Sequence, residues 1–320
     1  MFHRVILSVF LLLAALPAGA QNWPPKTVRI VVPFGPGSTP DIVARVVADG
    51  LSAKYPASNF LVENKPGASG NLGTDAVAKA VPDGATLGVS IGGPLAINTR
   101  LFGKLPYDPR TDIAAVTQFV TQPSALAVNP GLNVGSVAEL VALLKANPGK
   151  YNFASIGNGS LSHLTMEAIA LKAGAKLVHV PYASSPQAIT AVIRNDTQMA
   201  CLPAISVTPQ AATGAVKILA ISTAKRSPLL PDVPTLKESG IDVEADAWNG
   251  LIAPGGTPKD IVATISKDVA AIVTAPAARE KLATQLMEPV GSSPEEFRAL
   301  IDRELARWAP VIDAAGVKVN

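Results

Sequence analysis

The sequence is poor in the residues with which enzymes and metalloproteins carry out chemistry. It contains one cysteine, Cys201, and three histidines among 320 residues, and aromatic residues make up 5% of it. A single cysteine excludes an intramolecular disulfide, and the apolar residues around Cys201 predict a buried core position. No group of His, Cys, Asp or Glu has the spacing of metal ligands, so no metal site is predicted. The G-x-G-x-x-G and Walker glycine motifs are absent too, so no cofactor is expected.

Charge of either sign is also scarce. Charged residues make up 16% of the chain, and the formal net charge is +3. The basic residues are evenly spread, which argues against nucleic acid as a partner. With 48% hydrophobic residues, 28 prolines and 25 glycines, the composition is typical of a globular chain with many turns.

A long apolar run opens the chain. The segment Met1–Ala20 combines a short basic start, an apolar stretch and small residues suited to cleavage before Gln21, as export signals do. A membrane-spanning helix needs about 20 apolar residues, and this run is shorter. We expect a signal peptide over residues 1–20 that is cleaved on export, with a retained N-terminus as the alternative and no stable membrane insertion.

The rest of the chain alternates strand and helix patterns. Runs rich in β-branched residues predict strands, and apolar residues spaced three and four apart predict helices. This alternation predicts an α/β protein with mostly parallel sheets flanked by helices. Strands are expected near residues 28–32, 60–62, 86–90, 125–128, 152–155, 176–180, 199–202, 216–222 and 248–253.

The pattern divides into two α/β halves. We expect one domain from residues 22–124 with 245–320, and a second from residues 125–244. A last helix begins at Ser293 and carries one apolar stripe along its length. We expect this stripe to pack against the first domain.

The stretch 28–45 contains the first candidate site. A strand runs into a glycine-rich loop, and a helix follows with Ser38 or Thr39 as its N-cap. The free N–H groups of a helix start and the helix dipole both favour an anion. Asp41, in the first helical turn, either contacts a ligand or balances the dipole, and a connection without any ligand is a further alternative. The candidate residues here are Phe34, Gly35, Gly37, Ser38, Thr39 and Asp41.

A second glycine-rich turn follows the strand at 152–155. Its sequence, I-G-N-G-S-L-S-H at residues 156–163, leads into a helix that Ser160 or Ser162 can cap. Because ligands in α/β sheets lie beyond the carboxyl ends of the strands, we expect loops of this kind to line a crevice. The candidate residues here are Ser155, Asn158, Gly159, Ser160 and His163, together with Ser90 at the end of an earlier strand.

An enzymatic function finds little support in these residues. Ser160 and His163 lie three apart and could act as nucleophile and base. The pattern G-x-S-x-G is absent, however, and no acid can be assigned to orient His163. A hydrolase with Ser160 as nucleophile is therefore the weaker hypothesis. Neutral donors from two halves better fit a binding protein that closes on a small anion without burying a counter-charge.

Several motifs, taken in order, carry a resemblance to a known family. They are V-R-I-V-V-P-F-G-P-G at 28–37, V-E-N-K-P-G-A-S-G at 62–70, L-P-Y-D-P at 105–109, S-L-S-H-L at 160–164, H-V-P-Y at 179–182 and L-L-P-D-V-P-T at 229–235. Together they extend over nearly the whole mature chain. They resemble the Bug-type extracytoplasmic receptors of tripartite tricarboxylate transporters.

The resemblance implies a periplasmic binding protein with two domains hinged by crossing strands. It implies a monomer that captures a small carboxylate for membrane permease subunits. By position, one ligand carboxylate would meet residues 34–39. Ser90, residues 155–160 and the loop with Tyr182 and Ala183 would line the opposite side.

The chain departs from the family where Cys201 and Leu202 replace a common Phe-Asp pair. An acid that could meet an amine is therefore missing at this place. An ammonium group has three donors and needs acceptors, so we expect a ligand without a primary amine. A sensor of the same fold that partners a membrane histidine kinase is the alternative function.

Overall fold

The strands lie close to the places that the apolar runs predict. A computed structural model describes residues 23–318, so the predicted signal peptide over residues 1–20 lies outside the described residues. The strands are β1 (Thr27–Val32), β2 (Asn59–Asn64), β3 (Thr86–Ile91), β4 (Ile113–Gln122), β5 (Ser124–Val128), β6 (Asn152–Ser155), β7 (Val178–Pro181), β8 (Met199–Pro203), β9 (Lys217–Ile221), β10 (Ala247–Pro254) and β11 (Glu288–Pro289). The ten-residue strand β4 has no counterpart among the predicted strands.

The helices fill the intervals between the strands. They are α1 (Thr39–Lys54), α2 (Asn71–Ala78), α3 (Asn98–Leu101), α4 (Val137–Ala146), α5 (Leu161–Ala173), α6 (Ser185–Ile193), α7 (Ala204–Ala212), α8 (Lys259–Thr274), α9 (Pro276–Ala283) and α10 (Pro294–Ala315). In the described part of the chain, no single helix has the length and apolarity to cross a membrane. The helices α8 and α9 taken together are long and apolar enough by length and composition only, and a bend of 67° separates them.

The strands form two separate sheets. The first has the order β11-β4-β10-β3-β1-β2, and the second has the order β7-β6-β8-β5-β9. In the first sheet, β1 to β4 share one direction, and β10 and β11 oppose it. In the second, only β5 opposes the others. Each sheet is therefore mixed but dominated by one strand direction.

Strands β5 and β10, which run against the main direction of their sheets, are also the strands at which the chain crosses from one sheet to the other. The chain leaves the first sheet after β4 and enters the second at β5, and it returns from β9 to β10. The predicted two-domain α/β fold with crossing strands is therefore confirmed. We call each sheet with its helices a lobe, the first and the second.

Apolar side chains cover both faces of the first sheet. On one face, Leu51 of α1 and Ile265 of α8 pack with Phe119 of β4. On the other face, Trp248 of β10 packs with Phe297 of α10. Burial on both faces explains why the central strands β1 and β3 do not show a strict alternation of apolar and polar residues.

The second sheet is covered in the same way. Phe153 and Cys201 belong to the apolar cluster on one face, and Leu202 belongs to the cluster on the other. Cys201 is fully buried, as its surroundings predict, and burial raises the pKa of its thiol to about 12. A thiol so protonated and enclosed is a core side chain.

The C-terminal helix α10 contacts both lobes. Phe297 and Ile301, near its start, pack on the first sheet. Trp308 and Ile312, two turns further on, belong to the core cluster of the second lobe. The expectation that this helix packs against the first domain accounts for its first half only. At 22 residues it is about 33 Å long, enough to reach from one lobe to the other.

Candidate ligand-binding site

Three loops of the first lobe meet at the carboxyl ends of their strands. A Cβ added to Gly70, after β2, would lie 3.0 Å from Cζ of Phe34, after β1, and 2.8 Å from Cγ of Pro94, after β3. The loops that follow three neighbouring strands therefore pack directly on one another. They form one surface at the edge of the sheet where α/β proteins bind ligands.

The carboxylate of Asp41 holds the loop after β1 in shape. It accepts hydrogen bonds from the N–H of Gly37 at 2.9 Å, from Arg45 Nε and Nη2 at 3.0 Å each, and from Asn64 Nδ2 at 3.0 Å. Asn64 Nδ2 also donates to the carbonyl oxygen of Phe34 at 2.9 Å. These contacts use the carboxylate to hold the loop, a structural role that the sequence did not predict for Asp41.

The same contacts keep Asp41 ionised. Burial acts to raise the pKa of its carboxyl group, but the hydrogen bonds from Arg45, Gly37 and Asn64 and the positive charge of Arg45 outweigh it. They lower the pKa from 3.8 to about 2. A buried but paired and hydrogen-bonded charge of this kind is a structural support.

Ser38 is the N-cap residue of α1, and its hydroxyl is unpaired. The backbone of Ser38 has the extended conformation of an N-cap, yet its Oγ makes no cap bond. Ser38 Oγ is buried and has no hydrogen-bond partner among the described residues. By contrast, the N-cap serines of α4, α5, α6 and α10 each accept an N–H of their own helix. The start of α1 therefore keeps a donor and its first-turn N–H groups for another partner.

The backbone beside Ser38 is open. Around Gly35 and Gly37, no heavy atom lies within 4 Å of the position that a Cβ would take. Gly37 has a φ of +78°, a conformation that side-chain-bearing residues rarely adopt. Phe34 and Thr39 on either side are partly exposed. A small group can therefore approach the main chain here.

Ser90 lies buried beneath the three loops of the first lobe. It is fully buried at the end of β3, with its Oγ 3.3 Å from Thr74 Oγ1. Thr74 in turn donates to the carbonyl oxygen of Gly70 at 3.0 Å. Ser90 thus connects β3 to α2 and the loop before it, while its own hydroxyl is enclosed. The expectation that Ser90 lines the side opposite to residues 34–39 is wrong, because β3 belongs to the same sheet as β1.

In the second lobe, Ser160 caps α5 with its hydroxyl fully engaged. Its Oγ accepts the N–H of His163 at 3.3 Å and donates to the carbonyl oxygen of Gly157 at 2.7 Å. Ser162 Oγ lies 3.0 Å away and accepts the N–H of Ile156 at 3.0 Å. The two serines therefore shape the turn, and its exposed side chain is that of Asn158.

The loop after β7 is joined to this turn. The N–H of Tyr182 donates to the carbonyl oxygen of Ser155 at 2.9 Å. The N–H of Ala183 donates to Oε1 of Gln187 at 3.1 Å. Tyr182 also borders a hollow of about 550 Å³ along α6, which is lined further by Thr190 and Arg194, among others.

Gly159 connects the two lobes. It is buried with a φ of +70°, and a Cβ at this position would overlap Cδ1 of Leu101. Leu101 belongs to α3, which follows β3 of the first lobe. The contact brings the second-lobe turn against the segment that follows the first-lobe loops.

The arrangement of Ser160 and His163 does not support the hydrolase hypothesis. The ring of His163 accepts the N–H of Gly159 at Nδ1, at 3.0 Å, and its Nε2 faces Glu167 Oε1 at 3.5 Å. Both ring nitrogens thus point to groups other than Ser160 Oγ. Ser155 Oγ lies 2.6 Å from His179 Nε2, but Ser155 is fully buried and cannot meet a substrate.

Metal ligands do not cluster either. Within residues 23–318, no group of three or more His, Cys, Asp and Glu side chains is arranged to hold a metal ion. The chemistry that the two loops offer is therefore hydrogen bonding from hydroxyl, amide and main-chain groups.

Several residues near these loops were not among the sequence candidates, and three of them show why. Asn64 holds the first loop, His179 binds Ser155, and Leu101 touches Gly159. Asn64 and His179 lie within the motifs at 62–70 and 179–182, so the sequence carried a signal for both. The sequence carried no signal for Leu101, because its contact with Gly159 joins residues of two different lobes.

Comparison with known proteins extends these observations. The profile described as "Tripartite tricarboxylate transporter family receptor" matches residues 43–317. The protein BugT of Bordetella pertussis is 32% identical over 319 residues, which cover 98% of this chain and 98% of BugT.

Two solved structures of relatives carry ligands. An R. palustris protein with adipate superposes with a TM-score of 0.79 at 32% identity, over 93% of this chain and 99% of that one. MatC from Rhodopseudomonas palustris, with bound malate, has a TM-score of 0.73 at 30% identity, over 89% of this chain and 98% of MatC. Both similarities extend over the two lobes.

Proposed function

The chain belongs to the receptor family of tripartite tricarboxylate transporters, and on that premise we propose that it captures a small dicarboxylate between its lobes. Members of this family are solute-binding proteins, so the chain is a receptor and not an enzyme. The lobes that we propose comprise residues 22–124 with 245–320 and residues 125–244. The receptor acts as a monomer in the periplasm and delivers its ligand to the membrane permease subunits.

The unpaired hydroxyl of Ser38 is the observation that carries the proposal. It lies at the N-terminus of the 16-residue helix α1, where the helix dipole favours an anion. Asp41 holds the neighbouring loop through the N–H of Gly37, so the hydrogen-bond donors for the ligand are in place before it binds. One carboxylate of the ligand binds here, to Ser38 Oγ and to main-chain N–H groups of the helix start that make no hydrogen bond within the loop.

The second carboxylate meets the turn of the second lobe. Asn158 is exposed at its tip, and Ser160 caps α5 directly behind it. Tyr182 and Ala183 flank the turn through the bond from Tyr182 to Ser155. Two anion-binding loops on opposite lobes favour a ligand with two carboxylates, and the adipate and malate bound by relatives support that class.

The ligand carries no primary amine. An ammonium group requires a carboxylate or several carbonyl oxygens around it. Asp41, in the first turn of α1, already accepts hydrogen bonds from Arg45, Gly37 and Asn64 with its two carboxylate oxygens. Leu202, at the place where the family often has an acid, is fully buried in the core.

A thermal-shift screen of matched pairs tests this function. Succinate is compared with aspartate, glutarate with glutamate, and adipate with 2-aminoadipate, on protein freed of bound solutes by unfolding and refolding. A ligand at 100 times its dissociation constant should add about 2.7 kcal/mol to the free energy of unfolding. We expect at least one dicarboxylate to give such a shift and to exceed its amino analogue. Larger shifts with the amino acids, or none with any carboxylate, would contradict the proposal.

A further inference from the structure

Two histidines lie stacked beneath the second-lobe turn. The ring centroids of His163, on α5, and His179, on β7, are 3.6 Å apart, and the ring planes differ by 10°. Phe153 of β6 extends the stack, with its ring centroid 5.0 Å from that of His179. The three rings come from neighbouring elements of the lobe and form one layer behind residues 155–160.

Each imidazole makes a hydrogen bond to the turn. His163 Nδ1 accepts the N–H of Gly159 at 3.0 Å, and His179 Nε2 shares a hydrogen bond with Ser155 Oγ at 2.6 Å. Ser155 Oγ also accepts the N–H of Gly157 at 3.1 Å. The two rings therefore hold the beginning and the end of the turn, at Ser155 and Gly159, in a fixed relation to each other.

The bonds define the proton positions. Because His163 Nδ1 accepts an N–H, the neutral ring carries its proton on Nε2, which faces Glu167 Oε1 at 3.5 Å. Burial, and to a lesser extent the neighbouring His163, lower the pKa of His179 from 6.5 to about 4, although the charge of Glu167 acts in the opposite direction. The ring of His179 is thus neutral at neutral pH.

We propose that His163 and His179 are positioning residues that hold the turn 155–160 in the shape that receives a ligand carboxylate, and that acid pH releases this shape. The inference rests on the proposed function for the ligand, but the positioning itself concerns the ligand-free protein. Neither ring has to touch the ligand, since both lie behind the turn and act through Gly159 and Ser155.

The pH effect has a definite sign. The titratable groups that face His179 are His163 and Glu167, both on α5, while β6 contributes Phe153 and Ser155. Because the pKa of His179 is lowered, its support of the turn is complete above pH 6.5 and is lost as the pH falls towards 4.

Nuclear magnetic resonance of the ligand-free protein tests the positioning directly. We expect the imidazole of His179 to titrate near pH 4. At pH 7 the amide protection factor of Gly159 should fall about tenfold in His163→Leu, which keeps bulk but no acceptor. His163→Asn should retain most of the protection, because its side-chain oxygen can accept the same N–H.

Binding of adipate at pH 7 forms the second arm. The dissociation constant should rise about tenfold in His163→Leu and less in His163→Asn, in step with the protection of Gly159. Equal protection in all three proteins, equal loss in both variants, or a His179 pKa near 6.5 would overturn the inference. If the wild type does not bind adipate, adipate is rejected as a ligand, and the measurements on the ligand-free protein alone decide whether the histidines position the turn.

Discussion

Replacing Asp41 with alanine is expected to lower the free energy of unfolding by about 3 kcal/mol and to abolish dicarboxylate binding. The lowered pKa of the Asp41 carboxyl group corresponds to about 2 kcal/mol of stabilisation. The substitution also leaves the N–H of Gly37 and the amide of Asn64 without their partner, at about 1 kcal/mol or more. Without these bonds the loop that carries Ser38 loses its shape.

Asp75 provides a matched control for this substitution. It pairs with Lys79 at the same spacing of four residues, with Lys79 Nζ donating to Oδ2 at 2.9 Å, but the Asp75 side chain is 18% exposed, against 3% for that of Asp41. We expect Asp75→Ala to change the free energy of unfolding by no more than about 0.5 kcal/mol, measured by urea denaturation.

The pH dependence of Asp41→Ala follows from the same pairing. A depressed pKa stabilises the wild type above pH 3.8, and this stabilisation is lost as the pH falls through about 2. The difference in unfolding free energy between wild type and Asp41→Ala should therefore shrink between pH 4 and pH 2. A difference as small as that of Asp75→Ala, or one that is independent of pH in this window, would contradict the role assigned to Asp41.

Phe297→Ala is expected to destabilise the protein by about 3–5 kcal/mol. The ring is fully buried, makes an edge contact with Trp248, and fills the space left by Gly250, where a Cβ would overlap it. Truncation leaves a cavity between α10 and the first sheet. Since α10 also reaches the core of the second lobe, both lobes should lose stability in one cooperative transition, followed by circular dichroism during denaturation.

Gly250 allows a double-mutant test of this packing. Gly250→Ala alone should cost about 1–3 kcal/mol, because its methyl group meets the Phe297 ring. In the Phe297→Ala background the same methyl group enters the cavity, and its cost should vanish or reverse in sign. Additive effects of the two substitutions would show that the ring and the glycine do not pack as described.

Local features of the chain were predicted well from the sequence. The strand Thr27–Val32 and the helix beginning at Thr39 follow from a β-branched run and from the order serine, proline and acid. The capping box of α10 at Ser293 follows from the same kind of pattern. Such signals lie within a few residues of one another, so a sequence can display them.

Long-range features could not be read in this way. The strand β4 contains mixed residues such as Thr117 and Gln118, and its identity depends on pairing with β10, more than 100 residues away. The stacking of His163 on His179 depends on the packing of α5 against the second sheet. Whether Ser38 Oγ finds a partner depends on the whole loop, although Ser38 was one of the two predicted N-cap residues.

The most direct measurement is calorimetric titration of adipate into the wild type, Ser38→Ala and Ser160→Ala. Loss of one hydrogen bond to a charged group should weaken binding to Ser38→Ala by about 1.5–3 kcal/mol, and stability should stay nearly unchanged because Ser38 Oγ has no partner in the fold. Ser160→Ala should lose about 1 kcal/mol of stability with its cap bond and much less affinity. Wild-type affinity in Ser38→Ala, with a large loss in Ser160→Ala, would contradict a carboxylate site at the start of α1.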